Sequence, residues 1–119
     1  MDQAHILLVE DEDDLRMIVE DALSARGFTV TAARNGVEAL RYLRQPNAFS
    51  HLVTDVSMPE GVSGLDVASE ALQRRPDMEV IVVSGYQRSQ LPPIPETMVF
   101  LPKPYRMNQL LSALELPAA

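Results

Sequence analysis

Four short stretches of the chain carry side chains able to do chemistry. The run Glu10-Asp11-Glu12-Asp13-Asp14 sets five carboxylates in a row, while Asp55, Ser84 and Lys103 stand further along. Lys103 is the only lysine, every other base being arginine. Clustered carboxylates repel one another and need a cation. The chain has no cysteine, and its two histidines, His5 and His51, lie far apart. Thiolate zinc sites, disulfides and cysteine nucleophiles are therefore excluded, and a histidine-rich metal site is not expected. All-oxygen donors favour Mg²⁺, which binds through one or two carboxylates and keeps several waters. Beside such an ion Asp55 could act as a nucleophile and form an aspartyl phosphate. Ser84 and Lys103 would then hold the remaining phosphoryl oxygens.

Taken singly, each residue has a plainer reading. The acidic run can complement the N-terminal dipole of a following helix, and Asp13 and Asp14 are assigned to that role in either case. Asp55 before a proline-containing loop and Ser84 before Gly85 both suit turns. Lys103, between Pro102 and Pro104, suits a solvated surface. These readings weaken because all four stretches fall at the ends of apolar runs, and that depends on the elements that carry them.

Five apolar runs punctuate the chain: His5 to Val9, Phe28 to Ala32, Leu52 to Thr54, Val80 to Val83 and Met98 to Leu101. Continuous apolar runs suit strands covered on both faces, as in a parallel sheet. The second run alternates and is placed at a sheet edge. Between the runs, Leu15, Ile18, Val19, Ala22 and Leu23 recur at helical spacing, with Gly27 as a stop. Asn35 is read as the N-cap of a helix with Val37, Leu40 and Leu43 inward, halted near Pro46. Ser63 caps a third helix bearing Leu65, Ala68 and Leu72, which ends before Pro76. Met107, Leu110, Leu111 and Leu114 mark a last helix closed by Pro117. Gln87 to Pro95 contains three prolines and should give at most one or two helical turns. The alternation predicts an open α/β sheet. In such sheets ligands bind beyond the carboxyl ends of the strands, which is where Glu10, Asp11, Asp55, Ser84 and Lys103 fall.

With 119 residues the chain is expected to be a single domain, 1–119, against about 150 residues per domain. A formal charge of −7 disfavours nucleic acid and anionic membrane surfaces as partners. No apolar stretch approaches the roughly 18 residues of a membrane span, and the first residues lack a basic signal-peptide start, so a cytoplasmic setting is expected. No glycine-rich phosphate loop follows the first run, and the acids there would repel a flavin phosphate.

Together, Leu8-Val9-Glu10-Asp11-Glu12, Asp55-Val56-Ser57-Met58-Pro59, Val83-Ser84-Gly85-Tyr86 and Lys103-Pro104-Tyr105 resemble the receiver domains of two-component response regulators, of the chemotaxis-regulator type. The resemblance covers essentially the whole chain. It implies a five-stranded parallel sheet of order 2-1-3-4-5 flanked by five helices. By it, Asp55 matches the phosphorylated aspartate, Glu10 and Asp11 the acidic pair that holds Mg²⁺, and Ser57 the position whose backbone carbonyl completes the metal site. Ser84 matches the switch hydroxyl and Lys103 the lysine of the family, with Lys103-Pro104 expected to be cis. A histidine kinase or histidine phosphotransfer protein is the implied phosphoryl donor.

The departures from the family pattern are informative. Four residues, Glu60-Gly61-Val62-Ser63, separate Pro59 from Gly64 where three are common. This form is most similar to receivers of hybrid histidine kinases or their stand-alone relatives. Phe100 occupies the aromatic switch position without a hydroxyl, a role that Tyr86 could share; the plainer reading makes Tyr86 a ring over the pocket mouth. The stretch Leu91-Pro92-Pro93-Ile94-Pro95 disturbs the fourth helix, so the family's common dimer is not assumed and a monomer or weak dimer is expected. The implied function is a phosphoacceptor signalling domain, not an enzyme on a separate substrate, with output through protein contacts or onward phosphotransfer. Two alternatives compete: a receiver-like binding module that is never phosphorylated, and a magnesium-dependent phosphohydrolase. The latter needs a second aspartate two residues after the first, where Ser57 stands.

Overall fold

In a computed structural model, residues 4–46, 49–56 and 61–115 are described. Strands and helices alternate: β1 (His5–Val9), α1 (Asp13–Ala25), β2 (Thr29–Ala33), α2 (Gly36–Arg44), β3 (His51–Asp55), α3 (Gly64–Arg74), β4 (Glu79–Ser84), β5 (Val99–Pro102) and α4 (Met107–Glu115). The strands form one parallel sheet of order β2-β1-β3-β4-β5. β2 lies at an edge and is only partly covered, as its alternating sequence predicted. β3, at the centre, is buried along its whole length.

Two apolar layers sandwich the sheet. Ile6, Leu8, Val53, Ile81 and Val83 meet Val19 and Leu23 of α1 and Leu110 and Leu114 of α4. On the other face Leu7, Val9, Leu52, Val80 and Val82 meet Ala39 and Leu43 of α2 and Val67, Ala68 and Ala71 of α3. Strand side chains alternate in direction, so each β-strand feeds both layers, and nearly continuous apolar runs result.

Helix ends follow local chemistry. The Asn35 side chain accepts from Glu38 N at 2.8 Å, capping α2. Ser63 and Asp66 form a reciprocal capping box at the start of α3. Gly27, at φ 94°, ends the α1 turn, where Gly27 N donates to Ser24 O at 3.0 Å. Asp13 and Asp14 sit in the first turn of α1, as expected of dipole-complementing acids.

One inward assignment is corrected, and one member of the helically spaced series faces outward. Val37 is exposed, and α2 instead buries Gly36, Ala39 and Leu43. That helix begins at Gly36, whose bare Cα is the contact surface, which turns Val37 about 100° away from it. Ile18 is likewise exposed, because α1 buries the strip through Val19 and Leu23, with Leu15 partly covered, and Ile18 falls beside it. The closing Pro117 lies outside the described residues.

Between β4 and β5 the resemblance implied a full helix, making five; among the described residues there are four α-helices and a short 3₁₀ turn, Arg88–Gln90. This agrees with the one or two turns that the prolines allow. Leu91, Ile94 and Met98 pin the segment to the α2–α3 layer, and Arg88 Nη2 donates to Ile94 O at 3.2 Å.

Candidate functional site

Because the strands are parallel, their carboxyl ends share one edge of the sheet. β1 delivers Glu10 and Asp11, β3 ends in Asp55, β4 ends in Ser84, and Lys103 follows β5. Backbone pairing locks these ends together: Val56 N donates to Val83 O at 2.9 Å, and Lys103 N to Ser84 O at 2.7 Å. The Lys103-Pro104 peptide is cis, as the resemblance implied.

The ammonium of Lys103 bridges two buried carboxylates, donating to Glu10 Oε1 at 2.9 Å and to Asp55 Oδ2 at 3.0 Å. Glu10 Oε2 also accepts from Glu12 N at 3.0 Å. One carboxylate oxygen from each of Glu10, Asp11 and Asp55 lies within 4.8 Å of the others. Asp11 is exposed and Glu10 and Asp55 are buried, so the group opens to solvent on one side.

One ammonium serves several carboxylates, and the protonation equilibria reflect that imbalance. Burial is the largest influence on Glu10 and raises its pKa, against the hydrogen bonds from Lys103 and from the Glu12 N–H. Burial likewise raises Asp55, again against Lys103. For Lys103, burial would lower the ammonium's pKa, but the hydrogen bonds and charges of Glu10 and Asp55 outweigh it and hold the ammonium above the usual lysine range. Tyr105 is pushed up to about 12, by burial first and then by the Glu10 charge. Three carboxylates against one ammonium leave a formal charge of −2. A hard divalent cation with oxygen ligands fits this donor set and charge.

Ser84 is buried, and its Oγ accepts from Tyr86 N at 2.9 Å. Tyr86 itself is more than half exposed, and its backbone N–H, not its ring, ties it to the Ser84 hydroxyl. Phe100 is partly buried and packs with the α2–α3 layer. Ser57 lies outside the described residues. A cleft of about 370 Å³, lined by Glu12, Leu15, Lys103, Pro104 and Tyr105, opens beside the ammonium. Sequence reasoning had assigned Tyr105 no role; its position two residues after Lys103 was the available signal.

Comparison with known proteins agrees with this geometry. The model of the response regulator receiver domain family matches residues 6–115. The sensor kinase CckA of Brucella abortus (strain 2308) is 39% identical over 116 residues, 94% of this chain but 12% of the kinase. The response regulator receiver protein CpdR of the same organism is 34% identical, and the match spans 92% of each chain. Among solved structures, a response regulator receiver protein from Sinorhizobium medicae WSM419 superposes with a TM-score of 0.87 at 31% identity, covering 94% of this chain and 91% of that one. The receiver domain of the hybrid histidine kinase CckA gives 0.80 at 32% identity, covering 94% and 96%. TrrA from Thermotoga maritima, solved in complex with Mg²⁺-BeF, gives 0.80 at 28% identity, covering 95% and 97%. With the site, the sheet order and these likenesses in agreement, the chain belongs to the response regulator receiver domain family.

Proposed function

We propose that Asp55 is the phosphoacceptor of this receiver and that Glu10, Asp11 and Asp55 hold Mg²⁺. The observation that carries the reading is the bridge from Lys103 Nζ to Glu10 and Asp55 at the open edge of the sheet. Receivers are signalling domains that accept phosphoryl groups from histidine kinases or phosphotransfer proteins, and such a protein is the proposed partner here. A carboxylate oxygen of Asp55 attacks phosphorus, the bond from phosphorus to the donor's imidazole nitrogen breaks, and that nitrogen keeps the electron pair. Mg²⁺, when bound, supplies positive charge to the phosphoryl oxygens. Lys103 exchanges its contact with Asp55 for one with a phosphoryl oxygen, keeping a charge-assisted hydrogen bond throughout. The backbone carbonyl of Ser57 is the further metal ligand in this reading.

The switch lies at Ser84. Its hydroxyl turns to a phosphoryl oxygen, and the chain from Gly85 to Met98 follows through Tyr86 N. Phe100, packed in the same layer as Leu91, Ile94 and Met98, reports the movement. The chain acts as a monomer or weak dimer in a cytoplasmic setting and catalyses only its own phosphorylation and dephosphorylation. Among the described residues no helix is long and apolar enough to cross a membrane.

Intact-mass spectrometry after incubation with acetyl phosphate, with and without Mg²⁺, tests the reading. A single magnesium-dependent phosphoryl adduct, absent in Asp55→Asn, is expected. No adduct from acetyl phosphate or from a phosphorylated histidine donor would leave a binding module in its place.

A further inference from the structure

Val62, which follows Gly61 and precedes Ser63 and Gly64, packs against the start of α2. Gly61 adopts φ 76°, a conformation open to glycine, and the turn delivers Val62 onto the first turn of α2. A β-carbon on Gly36 would stand 2.5 Å from Val62 Cγ1, 2.8 Å from Val62 Cβ and 2.9 Å from Val62 O. Gly36 has no positive φ to explain it, so the close approach of Val62 is what excludes a side chain there.

Gly64 repeats the device on the other side. A β-carbon there would overlap the Asp55 carbonyl oxygen outright and lie 2.9 Å from Thr54 Oγ1. The buried Thr54 hydroxyl donates to that same carbonyl at 3.0 Å, and Gly64 N donates to Val56 O at 2.8 Å. The first turn of α2, Val62, Gly64 and the Asp55 peptide thus form a packed series on the α2–α3 side of the sheet.

We propose that the Val62–Gly36 contact is a positioning device for Asp55. It seats the segment that closes on the Asp55 peptide through Gly64 and Thr54, and so sets the angle at which the carboxylate meets Lys103 and the phosphoryl donor. The contact transmits displacement because glycine has no side chain and the β-branched valine is stiff at χ1, leaving little freedom to absorb a shift. Gly36, Val62 and Thr54 touch no reacting atom and act through Asp55. The inference rests on the phosphoacceptor reading above.

The test compares Gly36→Ala, Val62→Ala and the double variant for melting temperature and for the rate of phosphorylation by acetyl phosphate at saturating Mg²⁺. Rates are measured well below the melting range of each protein. Gly36→Ala should slow phosphorylation about tenfold and Val62→Ala about threefold, since small misplacements of reacting groups carry large rate penalties. The double variant should regain only part of the lost rate over Gly36→Ala, because truncating the valine removes Cγ1 but leaves Val62 Cβ and O within 2.9 Å of the new methyl group. A folded Gly36→Ala at wild-type rate, or a double variant no faster than the single, overturns the inference. If Gly36→Ala does not fold, Thr54→Val should slow the reaction and Thr54→Ser restore it; a wild-type rate in Thr54→Val overturns it equally. A wild-type chain that takes up no phosphoryl group removes the phosphoacceptor reading and the inference together. Normal wild-type labelling beside unaffected variants removes the inference alone.

Discussion

Lys103 Nζ lies 3.0 Å from Asp55 Oδ2, joining the end of the last strand to the end of the central one across 48 residues of sequence. The same ammonium also holds Glu10, so a single cation compensates two buried carboxylates with a third, Asp11, close by.

Asp55→Asn should raise the melting temperature of the metal-free protein by roughly 2–6 °C while abolishing phosphorylation. The substitution removes a buried charge of nearly the same shape, and Lys103 keeps Glu10. Thermal melts in chelator, with mass spectrometry alongside, check both halves. A lower melting temperature would mean that the Lys103–Asp55 pair outweighs the repulsion.

The gap between Asp55→Asn and wild type should depend on pH. Asp55 has a raised pKa in the folded protein, so between its unfolded and folded values the native state binds the extra proton. Its contribution to stability is therefore fully present below the unfolded value and lost as pH rises through the folded one. The advantage of the asparagine variant should be near zero at about pH 4 and should open as pH rises toward neutrality. Denaturant titrations of both proteins at several pH values measure this; a gap that widens toward acid pH would contradict it.

Lys103→Met leaves Glu10 and Asp55 without their common donor. It should cost the metal-free protein about 1–3 kcal/mol, less than a fully buried pair because the lysine is partly exposed. Mg²⁺ should still bind and should raise the melting temperature more than in wild type, since a larger charge imbalance is relieved. Partner binding should no longer respond to phosphorylation. Wild-type switching in a phosphorylated Lys103→Met protein would refute the role given to the ammonium.

Ser63→Ala removes the cap of α3, losing the bond from Asp66 N to Ser63 Oγ. A loss of about 1 kcal/mol, or roughly 3–5 °C in melting temperature, is expected. Equilibrium unfolding checks it, and an unchanged midpoint would show that tertiary contacts hold the helix start unaided.

Sequence alone determined the order of elements and the residue types at each strand end. Continuous apolar runs specify strands buried on both faces, Asn35 and Ser63 supply cap chemistry, and three prolines within Gln87–Pro95 forbid a long helix. Those are local properties, and Glu10, Asp55, Ser84 and Lys103 were legible because a parallel sheet brings its carboxyl ends to one edge. Tertiary structure decided which neighbours these residues meet. That Lys103 bridges Glu10 and Asp55 and that Tyr86 meets Ser84 through its backbone depend on the order of the strands and the path of the loops beyond them, while the outward facing of Val37 and Ile18 depends on how each helix is rotated over the sheet. Periodicity identifies an apolar stripe, but not which edge of it a neighbour covers. Gly36 and Gly64 show the limit most plainly. In sequence each is only a poor helix former in a first turn; its reason is an atom from a distant segment occupying the space a side chain would take.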